Sequence, residues 1–114
     1  QQGYADDYVV GTGESHTVKE FVKKAFAYAG LNWEKYVKID KRYFRPTEVD
    51  CLKADISKAK KQLHWQPKIK FDSLIKIMVD NDLKDAGLEP PGEGFKICSG
   101  KWFDPAVMKN GVKR

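Results

Sequence analysis

A short apolar run, Tyr8-Val9-Val10, leads into Gly11-Thr12-Gly13 and then into Thr17-Val18-Lys19-Glu20, and that succession leaves few folds open. The β-branched pair favours extended backbone, the glycines permit a tight turn, and a Thr-x-x-Glu box starts a helix. In such a box the threonine hydroxyl accepts from the third backbone N–H while the glutamate reaches back. The helix continues through Val18, Phe21, Val22, Ala25, Phe26 and Ala29, an apolar stripe at three- and four-residue steps, and stops at Gly30. Phe21 and Phe26 are therefore expected in the core. A strand, a Gly-x-Gly turn and a helix also open a dinucleotide site. That site needs a third small residue where helix meets strand, and an acid about 20 positions on. Here His16 takes the third glycine's place, and Glu34, at the right distance, follows Trp33 with no clear second strand before it. The unit reads as structural.

Farther along, Tyr36-Val37-Lys38-Ile39 alternates as a short strand would, and Cys51-Leu52-Lys53-Ala54 is another candidate. Asp55 can cap a helix running to about Leu63, with Ala59 and Leu63 inward, before Trp65-Gln66-Pro67 breaks it. His64 falls at that helix's end, in a cap position where glycine or asparagine is more comfortable. A third helix from Phe71 to about Ala86 carries Leu74, Ile75, Met78, Val79 and Leu83 on one face, with Gly87 beyond its end. From Leu88 onward Pro90, Pro91, Gly92, Gly94 and Gly100 predict an irregular tail, which Phe95, Ile97, Trp102 and Phe103 can pin to the surface. The expected architecture is one small α/β unit, helix-rich with two or three short strands, over residues 1–87, followed by a tail over 88–114.

The formal charge of +5 is unevenly placed: residues 36–70 hold ten Lys or Arg against four Asp or Glu, and the rest is close to neutral. A local excess suits a local anion such as a phosphate better than a long nucleic-acid track. Part of it, Lys58, Lys60 and Lys61, also reads as a solvated helix face. Cys51 and Cys98 lie far apart with no paired histidines nearby, so no zinc site is indicated and two free thiols are expected. No apolar run approaches the roughly 18 residues of a membrane span and no secretory leader is visible, so the expectation is a soluble, cytoplasmic protein without a membrane partner.

The chemically richest stretch is Tyr43-Phe44-Arg45-Pro46-Thr47-Glu48-Val49-Asp50. Pro46 biases Arg45 toward extended backbone, from which a guanidinium can present a bidentate fork to phosphate oxygens, with Glu48 close by for hydroxyl or ring N–H donors. The same spacing allows an Arg45–Glu48 ion pair that only locks the turn. His16 can act as acid or base, or simply pack before the helix.

Taken together, the run from Tyr8 to Phe21, the segment Tyr43 to Asp50, the Asp55-Ile56-Ser57-Lys58-Ala59-Lys60 segment and Leu63-His64-Trp65-Gln66-Pro67 resemble the C-terminal part of the GDP-mannose 4,6-dehydratases, extended short-chain dehydrogenases. The resemblance implies a lyase that oxidises the hexose of GDP-mannose at C4, eliminates water across C5 and C6, and returns the hydride, using tightly bound NADP. It implies that a large N-terminal Rossmann domain holds NADP, that this smaller part closes over the substrate through Arg45, Glu48 and Tyr43, and that the full-length enzyme is a homo-oligomer. A Tyr-x-x-x-Lys motif is absent from the chain: none of the residues four after Tyr4, Tyr8, Tyr28, Tyr36 and Tyr43 is lysine. With the chain opening on Gln1, the expectation is a fragment of a larger protein, inactive alone. A non-catalytic phosphate- or nucleic-acid-binding module using the basic segment is the alternative, nucleic acid being disfavoured by the charge distribution.

Overall fold

A computed structural model describes residues 2–48 and 50–100, so the expectation that Trp102 and Phe103 pin the tail lies outside the described residues. The elements in order are α1 (Val18–Tyr28), two single-turn 3₁₀ helices (Trp33–Lys35 and Lys41–Tyr43), α2 (Ser57–Leu63), α3 (Phe71–Asp85) and α4 (Glu93–Ser99).

Helix α1 starts and stops on local signals, and α2 and α3 stop on them. Thr17 caps α1, its hydroxyl accepting from the Glu20 N–H at 3.0 Å. Gly30, at φ 76°, ends it in a Schellman turn: Leu31 N–H donates to Phe26 O at 2.8 Å and Gly30 N–H to Ala27 O at 3.0 Å. The same turn closes α3, with Gly87 at φ 74° and Leu88 N–H donating to Leu83 O at 2.9 Å. At the end of α2 the left-handed position falls to His64, at φ 52°, as its place after Leu63 predicts. Asn32 and Asp40 start the two 3₁₀ turns, each accepting from the backbone N–H two residues on.

Two expectations need correction. Among the described residues no strand is assigned, although two or three were expected; what is established is a helix-rich fold. The glycine turn nevertheless lies against residues 54–56. A Cβ built on Gly11 would sit 2.9 Å from the Ala54 Cβ, and one on Gly13 would sit 3.5 Å from the Ile56 Cδ1. No backbone hydrogen bond joins the two segments among the described residues. The second correction concerns Glu93–Ser99, expected irregular and found helical.

The core is small. Among the described residues the buried apolar side chains are Ile56 and Ala59 at the start of α2, and Ile75 in α3. No residue of α1 is fully buried: Phe26 is half-buried against Tyr36, ring centroids 5.8 Å apart, and Phe21 remains 37% exposed while tilting toward Phe71. The core position expected for both phenylalanines is thus only half filled. The stripe does face α3, forming with Val79 and Leu83 a groove of about 270 Å³ beside Ala25, Phe26 and Ala29.

Candidate functional site

Asp40 shapes the segment that carries the expected ligand contacts. Its carboxylate accepts from the Arg42 backbone N–H at 3.0 Å and turns the Arg42 guanidinium back on itself, Nε at 3.1 Å and Nη2 at 2.7 Å. That side-chain pairing, with the backbone N–H second, holds the Asp40 carboxyl below its ordinary value. Arg42 is therefore occupied. After it the chain leaves the turn extended at Phe44, φ −68° and ψ 129°, and Arg45, Pro46, Thr47 and Glu48 follow exposed and without regular structure. Neither Arg45 nor Glu48 forms an ion pair with another described residue, so the turn-locking pair that their spacing allows is not made. Tyr43 lies on the same stretch, 79% exposed. The three expected contact residues share one surface segment with nothing buried among them.

A separate open cleft of about 490 Å³ lies between the glycine turn and the start of α2, lined by Thr12, Gly13, Glu14, Lys53 to Ser57, Lys60 and Lys70. None of Tyr43, Arg45 and Glu48 lines it. Lys70 donates to Glu14 at 2.6 Å, and this contact, against a smaller cost of burial, holds the Glu14 carboxyl below its ordinary value. Asp55 accepts from both the hydroxyl and the backbone N–H of Ser57, which lower its carboxyl in that order. Both carboxylates thus stay ionised opposite three ammonium groups, so the cleft is polar but nearly balanced. Sequence reasoning noted the lysine excess here but not the cleft, because the cleft exists only once the turn and α2 are brought together.

The glycine turn does not suit a dinucleotide. Gly11 is small because Ala54 lies against it, and Gly13 needs its left-handed backbone at φ 70° where Ile56 packs. Both glycines are thus explained by packing against Ala54 and Ile56, and His16 stands where the dinucleotide fingerprint has its third small residue. His16 proves to be a packing residue: its ring stacks on Phe71 at 3.8 Å and 4°, with Nδ1 3.2 Å from Glu20 and Nε2 3.5 Å from Glu14. It ties the start of α1 to the start of α3. Among the described residues no cluster of three or more metal-ligating side chains occurs, and no helix is long and apolar enough to cross a membrane.

Wholly unforeseen was a buried carboxylate. Asp80 is 0% exposed and accepts from the Tyr28 hydroxyl at 2.9 Å and from the backbone N–H groups of Gly92, Gly94 and Phe95 at 3.1, 2.7 and 3.3 Å. Burial works against its charge, but these donors outweigh it and its carboxyl lies below the ordinary value. The sequence signal was faint: one acid three residues from Ile77 and from Leu83 on the same helix.

A family model described as GDP-mannose 4,6 dehydratase matches residues 1–78. The chain is 63% identical over 89 residues to GDP-mannose 4,6 dehydratase 1 of Arabidopsis thaliana, covering 78% of this chain and 25% of the relative. Against GDP-mannose 4,6 dehydratase 2 of the same plant it is 57% identical over 89 residues, covering 78% and 24%. The human GDP-mannose 4,6 dehydratase is 39% identical over 101 residues, covering 74% and 27%. The chain thus spans about a quarter of the length of the curated relatives it matches. The family match takes in Tyr43, Arg45 and Glu48 and stops before Asp80 and α4.

Proposed function

The chain belongs to the GDP-mannose 4,6 dehydratase family, and on that premise we propose that it is the substrate-binding part of an enzyme that converts GDP-mannose to GDP-4-keto-6-deoxymannose. In this reading residues 1–87 are the C-terminal substrate-binding portion, of α/β class once its sheet is completed by the rest of the enzyme, and 88–114 form an appended tail. NADP belongs to an N-terminal Rossmann domain outside this chain, consistent with a glycine turn that packs against its own protein. The whole enzyme is read as a cytoplasmic homo-oligomeric lyase.

The chain's own work is to hold and orient the sugar nucleotide. Arg45 offers its planar fork to the diphosphate, Glu48 accepts from sugar, ribose or guanine donors, and Tyr43 flanks them. The observation that carries this reading is the contrast between two neighbouring arginines. Arg42 is consumed by Asp40, whereas Arg45 stands exposed and unpaired among the described residues, its charge available to a ligand.

Arg45→Lys in the full-length enzyme tests it, because lysine keeps the charge and loses the fork. We expect GDP-mannose binding to weaken by about 1.5–3 kcal/mol, the scale of a hydrogen bond to a charged group, with NADP affinity and melting temperature unchanged. Unchanged GDP-mannose affinity by calorimetry would refute the assignment.

A further inference from the structure

Asp40 does two separable jobs within one turn. Its backbone oxygen accepts from the Tyr43 N–H at 3.2 Å and its Oδ1 from the Arg42 N–H at 3.0 Å, which together set the 3₁₀ turn Lys41–Tyr43. The rest of the carboxylate's accepting capacity goes to the Arg42 guanidinium: Nε lies 3.1 Å from both oxygens and Nη2 2.7 Å from Oδ2. An asparagine would do the first job as well, because an amide oxygen also accepts a backbone N–H two residues on. The neighbouring turn Trp33–Lys35 is started in that way, Asn32 Oδ1 accepting from the Glu34 N–H at 3.1 Å. Only a carboxylate does the second job.

Stability does not explain that second job. The Arg42 side chain is 84% exposed and its pair with Asp40, two residues away, joins no two elements; an exposed pair of this kind adds little to folding. What the pair does fix is where the guanidinium goes. Arg42 stands three residues before Arg45, so by chain geometry their Cα atoms are at most roughly 11 Å apart, a span two long side chains can close on one diphosphate. Released from Asp40, Arg42 would be a second fork for the same phosphate oxygens. A sugar nucleotide carries its diphosphate unchanged from substrate to product. A second fork would therefore hold both more tightly alike, which slows product release and does nothing for the chemical step.

Resting on the assignment of the diphosphate to Arg45, we propose that Asp40 is a positioning residue for that site: it retains Arg42 and so leaves this segment a single arginine fork for the diphosphate.

Calorimetric titration of the full-length enzyme with GDP-mannose and with GDP decides the point. Asp40→Asn keeps the turn and frees Arg42, so both ligands should bind about three- to fivefold more tightly, the scale of one exposed ion pair, with the melting temperature unchanged. A merely structural Asp40 predicts the opposite sign, weaker binding together with a lower melting temperature. Combining Asp40→Asn with Arg42→Lys keeps the added charge without the fork and should give back most of the gain. Unchanged or weaker binding in Asp40→Asn would overturn the proposal, and so would a gain that survives Arg42→Lys in full, since charge alone would then account for it. Arg45→Lys separates this role from the reading beneath it. If that change leaves GDP-mannose affinity untouched, the substrate assignment itself has failed; a loss there beside no gain in Asp40→Asn refutes the Asp40 role alone.

Discussion

His64 and Gly30 occupy the same kind of backbone position with opposite chemistry. Gly30 adopts its left-handed conformation freely, and a Cβ there would meet nothing within 4 Å, so Gly30→Ala isolates conformational strain from steric clash. We expect it to cost about 1 kcal/mol. His64 already bears that strain at φ 52° and is exposed, so His64→Gly should return part of it, raising stability by up to roughly 1 kcal/mol less the added freedom of the unfolded chain. Urea titration of both variants checks the pair; destabilisation by His64→Gly would mean that the ring makes a contact worth more than the strain. The His64 conformation was legible in the sequence because helix periodicity stops at Leu63. Arg45 and Glu48 were legible as candidates, but whether they paired with each other was not, since their spacing permits both outcomes and the course of the chain after Phe44 decides between them. Asp80 was hidden, because its donors come from residues 92–95 and only the tertiary fold delivers them.

At the level of elements, the Thr17 cap placed the start of α1 and stop signals placed the ends of α1, α2 and α3 almost to the residue, although α2 and α3 start without a side-chain cap, whereas the strands and α4 were misread. The difference is physical. A cap is satisfied locally, while a strand needs a neighbour and α4 needs Asp80. The Asp80 carboxyl is held below its ordinary value near 3.8 when folded, so the folded state binds fewer protons than the unfolded one. Its contribution is therefore complete above about pH 4 and is lost as the pH falls further through the folded-state value. Acid titration followed by far-UV circular dichroism should show α4 helicity lost in that range. Asp80→Asn should remove the corresponding step and weaken α4 already at neutral pH. Half-burial gives α1 its own expectation: Phe26→Ala should cost about 1–3 kcal/mol, below the 3–5 of a fully buried phenylalanine.

For the molecule as a whole, three buried apolar side chains among the described residues make a thin core for a chain of this length. The chain carries the expected substrate contacts but no Tyr-x-x-x-Lys, so the purified polypeptide supplied with GDP-mannose and NADP should yield no 4-keto sugar above a host-free background. Product formation would show that catalytic groups lie among residues read here as structural. The exposed run at Val9 and Val10 has a colloidal consequence as well. Val9 and Val10 are more than half exposed and their amides find no backbone partner among the described residues. Such an edge is a template for another strand, including one from a second copy of itself. Kept apart from a partner that completes its sheet, the polypeptide should self-associate with concentration through Tyr8–Val10, gaining β signal as it scatters light, and a lysine in place of Val10 should keep it dispersed.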